Sequence, residues 1–342
     1  MRPKIQIVFA LDATGSMSGL IGAAREKIWS IAGSLAQADP SPVIEMGLLF
    51  YRDRGDQFVT RRVALSTELD DVYEKLMQIA ADGGGDEPES VNQALHEAIT
   101  TFSWDSAAGT YRTVFLVGDC PPHMDYRDDV KYPVSCALAK QNDIVLNTIL
   151  MGNDGTARRI WSEIAVCNQG SFTNVNMDAN DISVNTPYDN EIAILSDQLD
   201  NTRIYYGDAR EKMIYEEKLK KGKSISGGSK DNVKAQRAEY NASKTGKETY
   251  YGKKELLEQY RNKSVDLETI KTEELPASMK TMSAAERKQF LDDNLSKRDS
   301  ILQKINALSV KRQQYIEKDL SQRDSSKVEN SFSNQMRLYT FT

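Results

Sequence analysis

The chain is poor in the residues that build the commonest reactive and cross-linked centres: its 342 residues include two histidines and three cysteines. Cys120, Cys136 and Cys167 are odd in number and contain no CxxC pair, so they read as neither a disulfide framework nor a zinc cluster. Nothing in their use calls for an oxidising compartment. Long apolar runs are missing as well. The longest, Ile5 to Leu11, falls far short of the roughly 20 residues of a spanning helix. It runs directly into Asp12 with no small-residue cleavage site, which makes it a poor signal peptide. The expectation is a cytoplasmic chain without a transmembrane segment, or an exported one if a signal precedes it. No GxxxxGK[ST] occurs, so Gly83-Gly84-Gly85 alone is no phosphate loop, and Gly15–Gly19 does not fit the G-x-S-x-G elbow.

What is present is charge, unevenly placed. The formal net charge is -6 from 44 basic and 50 acidic side chains, but residues 1–200 carry 15 and 29 of these, and residues 201–342 carry 29 and 21. An acidic first part is thus followed by a basic tail. The tail reads mainly as solvated helix faces. The acidic first part opposes approach to a phosphate backbone, so no nucleic-acid partner is expected.

The first part alternates strand-like and helix-like segments, the pattern of a doubly wound, mostly parallel α/β sheet with helices on both faces. Strands are expected at Ile5–Leu11, Val43–Tyr51, Phe58–Leu65, Thr113–Val117, Ile144–Met151 and Ser171–Val175. The short polar turn Arg52–Gln57 makes the second and third a hairpin, and hence an antiparallel edge. Helices are expected near Leu20–Leu35, Asp70–Ala80, Ser90–Phe102, Val134–Lys140, Ala157–Val166 and Asn190–Tyr205. This sets a first domain at 1–205 and an α-helical C-terminal region at 206–342. Within the latter, the Gly, Ser and Lys-rich stretch 218–232 reads as a linker, and Lys234 to Leu257 carries a weak helical pattern. An S-x-x-E capping box at Ser283 and Glu286 opens an amphipathic helix over 283–321. Arg298 and Arg312 interrupt its heptad seam, which favours a docked helix over a free coiled coil.

Ligands of such sheets gather beyond the carboxyl ends of the strands. There the sequence places Asp12-Ala13-Thr14-Gly15-Ser16, Asp53, the segment Gly83 to Glu89, and Gly118-Asp119. Carboxylates and hydroxyls from separate loops, without lysine or histidine, are hard oxygen donors. They suit Mg²⁺, Mn²⁺ or Ca²⁺ rather than Zn²⁺ or Cu²⁺.

At these residues the chain resembles the von Willebrand factor A domain family. Asp12, Thr14 and Ser16 match its D-x-[ST]-x-S signature after the first strand, and Asp119 matches its distal aspartate. Together with GGGDEPES and VGDCPPH in that order, the likeness covers about residues 4–205. It implies a metal-ion-dependent adhesion site of Asp12, Thr14, Ser16, Glu89 and Asp119, holding Mg²⁺ (or Mn²⁺ or Ca²⁺) that a protein partner's carboxylate completes. Glu89 stands where many members have threonine; D-x-P-E is similar to the integrin β-subunit version, with Asp86 as the fallback ligand. The same likeness implies a second cation at Asp53, Asp86 and Glu89. The segments His123–Pro133 and Glu274–Leu291 resemble bacterial proteins of this architecture. The expectation is a binding module and not an enzyme. The alternatives are an accessory subunit of a chelatase or AAA-type machine, or a metal-dependent hydrolase. His96 and His123 read as ordinary surface or helix histidines, with His123 lining the site as the sharper option; Cys120 lacks a base that would make it a nucleophile.

Overall fold

The computed structural model describes residues 2–85, 87–175 and 184–323. Its packing divides the chain into two compact units, one within Met1–Ser183 and one of Val184–Lys318.

The first unit is a six-stranded sheet made of β1 (Lys4–Asp12), β2 (Val43–Tyr51), β3 (Thr60–Ser66), β4 (Thr110–Gly118), β5 (Ile144–Met151) and β6 (Phe172–Val175). The strand order is β3-β2-β1-β4-β5-β6. All neighbours are parallel except β2 and β3, the antiparallel edge expected from the short Arg52–Gln57 turn. The helices are α1 (Ser18–Ala36), α2 (Leu69–Gln78), α3 (Val91–Thr100), α4 (Tyr132–Gln141) and α5 (Gly155–Val166). β1 is central and its apolar run is buried on both faces, which is why it reads as continuous rather than alternating. Val8 and Ala10 join the core formed with α3, α4 and α5. Period-two geometry turns Ile7, Phe9 and Leu11 to the opposite face, where α1 and α2 meet through Trp29 and Tyr73. The fold is the mostly parallel α/β sheet expected from the sequence.

The cysteine reading needs correction. Cys136 in α4 and Cys167 just after α5 form a disulfide with a Cα separation of 6.0 Å, and Cys120 is the free, buried thiol. The two partners lie 31 residues apart. They meet because α4 and α5 follow adjacent parallel strands and lie side by side, an adjacency no local spacing motif encodes.

The second unit is helical: α6 (Asp189–Asp200), α7 (Ala209–Gly228), α8 (Asp231–Ala242), α9 (Lys244–Tyr251), α10 (Leu256–Arg261) and α11 (Ala284–Ser321). The expected linker over 218–232 is mostly helix. α7 runs on to Gly228, opened by a reciprocal cap between Asp208 and Glu211, and its Gly222 and Ser226 are buried. The small residues that mimic a linker are there for close packing: a Cβ on Gly222 would come within 3.0 Å of Arg203 and 3.2 Å of Arg237. α6 packs on α8 in this unit. The arginines that interrupt the seam of α11 are buried. Arg298 meets Glu255 at 2.8 Å and Glu258 at 3.0 Å, and Arg312 meets Asp189 at 2.7 Å and Glu239 at 3.2 Å. Among the described residues no helix is long and apolar enough to cross a membrane.

Candidate metal centre

β1 and β4 are neighbours at the centre of the sheet; Asp12 ends β1 and Asp119 directly follows β4, so both aspartates leave the same edge. The loop after β1 turns at once: the Thr14 backbone N–H (2.8 Å) and hydroxyl (2.6 Å) both donate to Asp12 Oδ1. This Asx-type turn fixes the carboxylate and places the Ser16 hydroxyl 3.3 Å from that of Thr14. Asp12 and Thr14 are buried, while Ser16 is exposed.

The glycine run then comes against this turn. Gly83 and Gly84 both have φ of +80°, the left-handed region glycine favours. The Gly15 N–H donates to the Gly83 carbonyl, and a Cβ on Gly84 would lie 3.1 Å from Thr14 Cβ and 3.4 Å from Glu89 Oε1. The glycines therefore permit two loops to close over Thr14. Glu89 is held from the other side by a parallel backbone bridge: its N–H donates to the Pro121 carbonyl, and its carbonyl accepts from the His123 N–H.

Asp12 Oδ2, Glu89 Oε2 and Asp119 Oδ1 are buried with no hydrogen-bond partner within the chain. Desolvation pushes the Asp12 carboxyl up to about 7 against the Thr14 hydrogen bonds, with help from the charges of Asp119 and Asp56. Desolvation, then the charges of Asp12, Asp53, Asp56 and Asp119, push Glu89 up to about 9. Asp12 and Glu89 are thus raised by burial and by like charges nearby. Asp86 lies outside the described residues.

Asp53 behaves differently. Its Oδ1 accepts from the Ser90 hydroxyl at 2.7 Å and its Oδ2 from the Tyr126 hydroxyl at 2.8 Å, with His123 Nε2 at 3.3 Å. Both oxygens already have protein donors, so Asp53 ties the start of α3 to the 119–131 loop. His123 is buried, stacked on Tyr126 with centroids 3.9 Å apart and bonded through Nδ1 to Asp125 at 2.8 Å. It is no ordinary surface histidine. Asp56 was missed by sequence reasoning. It acts on Asp12 and Glu89, and accepts from the Gly84 N–H at 3.2 Å; the signal lay in the turn Arg52–Gln57, read only as a hairpin. Burial pushes the Cys120 thiol up, away from nucleophile character.

Among the described residues no three His, Cys, Asp or Glu side chains are arranged to hold a metal by themselves. A centre here has to draw on the Thr14 and Ser16 hydroxyls and on water, as Mg²⁺ readily does. The donor set is oxygen only, its buried carboxylate atoms lack partners, and their mutual repulsion is what a cation would relieve. These residues fit a hard divalent ion.

Comparison with known proteins agrees with this architecture. The von Willebrand factor A domain family matches residues 6–177, half of the chain, and the chain belongs to that family. The fold serves generally as a protein-interaction or scaffold module. An ariadne-like RING finger protein of Acanthamoeba polyphaga mimivirus is 26% identical over 120 residues, 35% of this chain and only 11% of that protein. Among solved structures, a von Willebrand factor type A protein from Catenulispora acidiphila is 15% identical with TM-score 0.39, covering 51% of this chain and 39% of that one. Proximal thread matrix protein 1 of the mussel byssus is 14% identical with TM-score 0.38, covering 52% and 44%. The chain thus spans less than half of these relatives.

Proposed function

We propose that the chain is a divalent-metal-dependent protein-binding module and not an enzyme. In this reading Asp12, Thr14, Ser16, Glu89 and Asp119 hold Mg²⁺, or Mn²⁺ or Ca²⁺, and a partner's carboxylate completes the site. The observation that supports it is that Asp12, Glu89 and Asp119, carried on three loops, each keep a buried carboxylate oxygen with no partner within the chain. A bound cation would supply the positive charge on which a partner carboxylate makes a short, charge-assisted contact. The residues of the chain orient that charge: Thr14 fixes Asp12, the glycine run and the Pro121–His123 bridge fix Glu89, and exposed Ser16 faces the approach side. The neighbouring groups offer a hydrolase little. His123 is buried and bonded through Nδ1 to Asp125, with its Nε2 3.3 Å from Asp53, and the Cys120 thiol is buried.

The test is affinity capture in Mg²⁺ against EDTA, with the Asp12→Ala/Ser16→Ala variant as control. Partners should appear only with metal and the intact chain; partners retained in every condition overturn the reading.

A further inference from the structure

The loops that carry the centre are crowded with negative charge. Across 12–16, 52–57, 82–89 and 119–131, ten described carboxylates face four cationic side chains. Three of those four are spent on the protein. Arg52 is buried and donates to the Ala13 and Ala80 carbonyls. Arg54 is shared between Asp128 at 3.0 Å and Asp129 at 2.6 Å, and stacks on Tyr126. Lys131 donates to the Tyr126 carbonyl. Arg127 stays exposed.

Of the carboxylates, Asp82 and Glu87 are exposed, and the side chains of Asp125 and Asp128 are 73% and 75% exposed. Asp82, Glu87 and Asp125 sit on loops that reach the centre, while Asp128 is paired with Arg54. The Asp82 N–H bonds to the Ala13 carbonyl next to Asp12, Glu87 acts on Cys120 beside Asp119, and Asp125 holds His123. One divalent ion offsets only two of these charges. A partner that brings only acid toward the cation therefore meets a field of its own sign.

Resting on the metal-dependent reading above, we infer that the surface around the centre selects a protein segment whose metal-binding carboxylate is flanked by lysine or arginine, and turns away acid-rich ones. Residues two positions from the carboxylate lie about 7 Å along an extended segment. That is within the roughly 10 Å Debye length at 0.1 M salt, so the rim acts on them directly. Lysine there meets Asp82, Glu87 or Asp125; glutamate there is repelled.

The probe is a set of fluorescent 11-residue peptides with one central Asp and Lys, Ser or Glu at the second and third positions on either side, read by anisotropy with the full chain in Mg²⁺ or EDTA. Mg²⁺-dependent affinity should fall from Lys to Ser to Glu, spreading at least about tenfold at about 50 mM salt and shrinking at about 0.5 M. The exposed-surface variant Asp82→Asn/Glu87→Gln/Asp125→Asn, checked for an unchanged melting temperature, should close most of the spread while keeping Mg²⁺ dependence. Mg²⁺-dependent binding with a flat or inverted ranking overturns this inference and leaves the metal-dependent reading standing. If no peptide responds to Mg²⁺, or if the Lys peptide binds equally with its Asp replaced by Asn, that reading fails too.

Discussion

Both units bury carboxylates, and they treat them in opposite ways. In the helical unit Glu255 meets Arg298, Asp189 meets Arg312, and Asp200 meets both Arg203 and Arg237. In the sheet unit Asp12, Glu89 and Asp119 each keep a buried oxygen without a partner. A buried charge answered by its own chain specifies packing. One left unanswered costs stability, and it persists where something from outside supplies the answer. The contrast separates answered from unanswered acid in one molecule without recourse to position in the sequence.

The sharpest way to break it is to remove one partner from each kind of site. Arg298→Met strands Glu255, which is fully buried, and should cost about 3–5 kcal/mol in denaturant melts. Arg298→Met/Glu255→Leu should recover most of that loss, and neither variant should alter the response to Mg²⁺.

Glu89→Gln removes a carboxyl that burial and like charges force to hold a proton in the metal-free chain. The metal-free chain should melt about 2–4 °C higher at pH 8, the shift that about 1 kcal/mol produces in a domain of this size. Mg²⁺ should raise the melting temperature of the parent chain, and the same variant should lose that rise. A drop in metal-free stability would mean that Glu89 is structural after all.

A smaller effect follows from pH. Asp12 at about 7 and Glu89 at about 9 hold protons in the folded chain that the unfolded chain releases near its ordinary carboxyl range. Their contribution is therefore fully present below the ordinary carboxyl range, falls as pH rises from there, and is gone above about 7 for Asp12 and about 9 for Glu89. In EDTA the melting temperature should decline over that window, and saturating Mg²⁺ should flatten the decline. A flat EDTA profile would remove the unanswered charge from the comparison.

The smallest change belongs to Asp53. Because Ser90 and Tyr126 occupy its two oxygens, Asp53→Asn should leave one Mg²⁺ per chain by titration calorimetry, with only a modest loss of affinity as the Glu89 loop loosens. Loss of a second bound ion would restore Asp53 to the ligands.

Much of this was legible in advance because it is written in local terms. The β1 run and the D-x-T-x-S turn each act within a few residues, whereas the triple glycine closes on Thr14 and Gly15 from far along the chain. What escaped depends on the fold. The pairing of Cys136 with Cys167 needs two helices laid side by side. The role of Asp56 emerges only once the Arg52–Gln57 turn is brought under Gly84. Arg298 and Arg312 look like interruptions of a heptad until their acidic partners on α10, α6 and α8 are seen. The Gly, Ser and Lys-rich half of α7 misled because small residues serve close helix packing as well as loops.

The position of Asp12 at the end of β1 has a mechanical consequence. β1 is paired in parallel along its length to β2 on one side and to β4 on the other. Tension applied at Asp12 along the strand axis runs across those ladders and loads their hydrogen bonds in shear, many at once on two flanks, instead of peeling them one at a time. A tether fastened at this edge would pull on the most firmly anchored strand of the sheet.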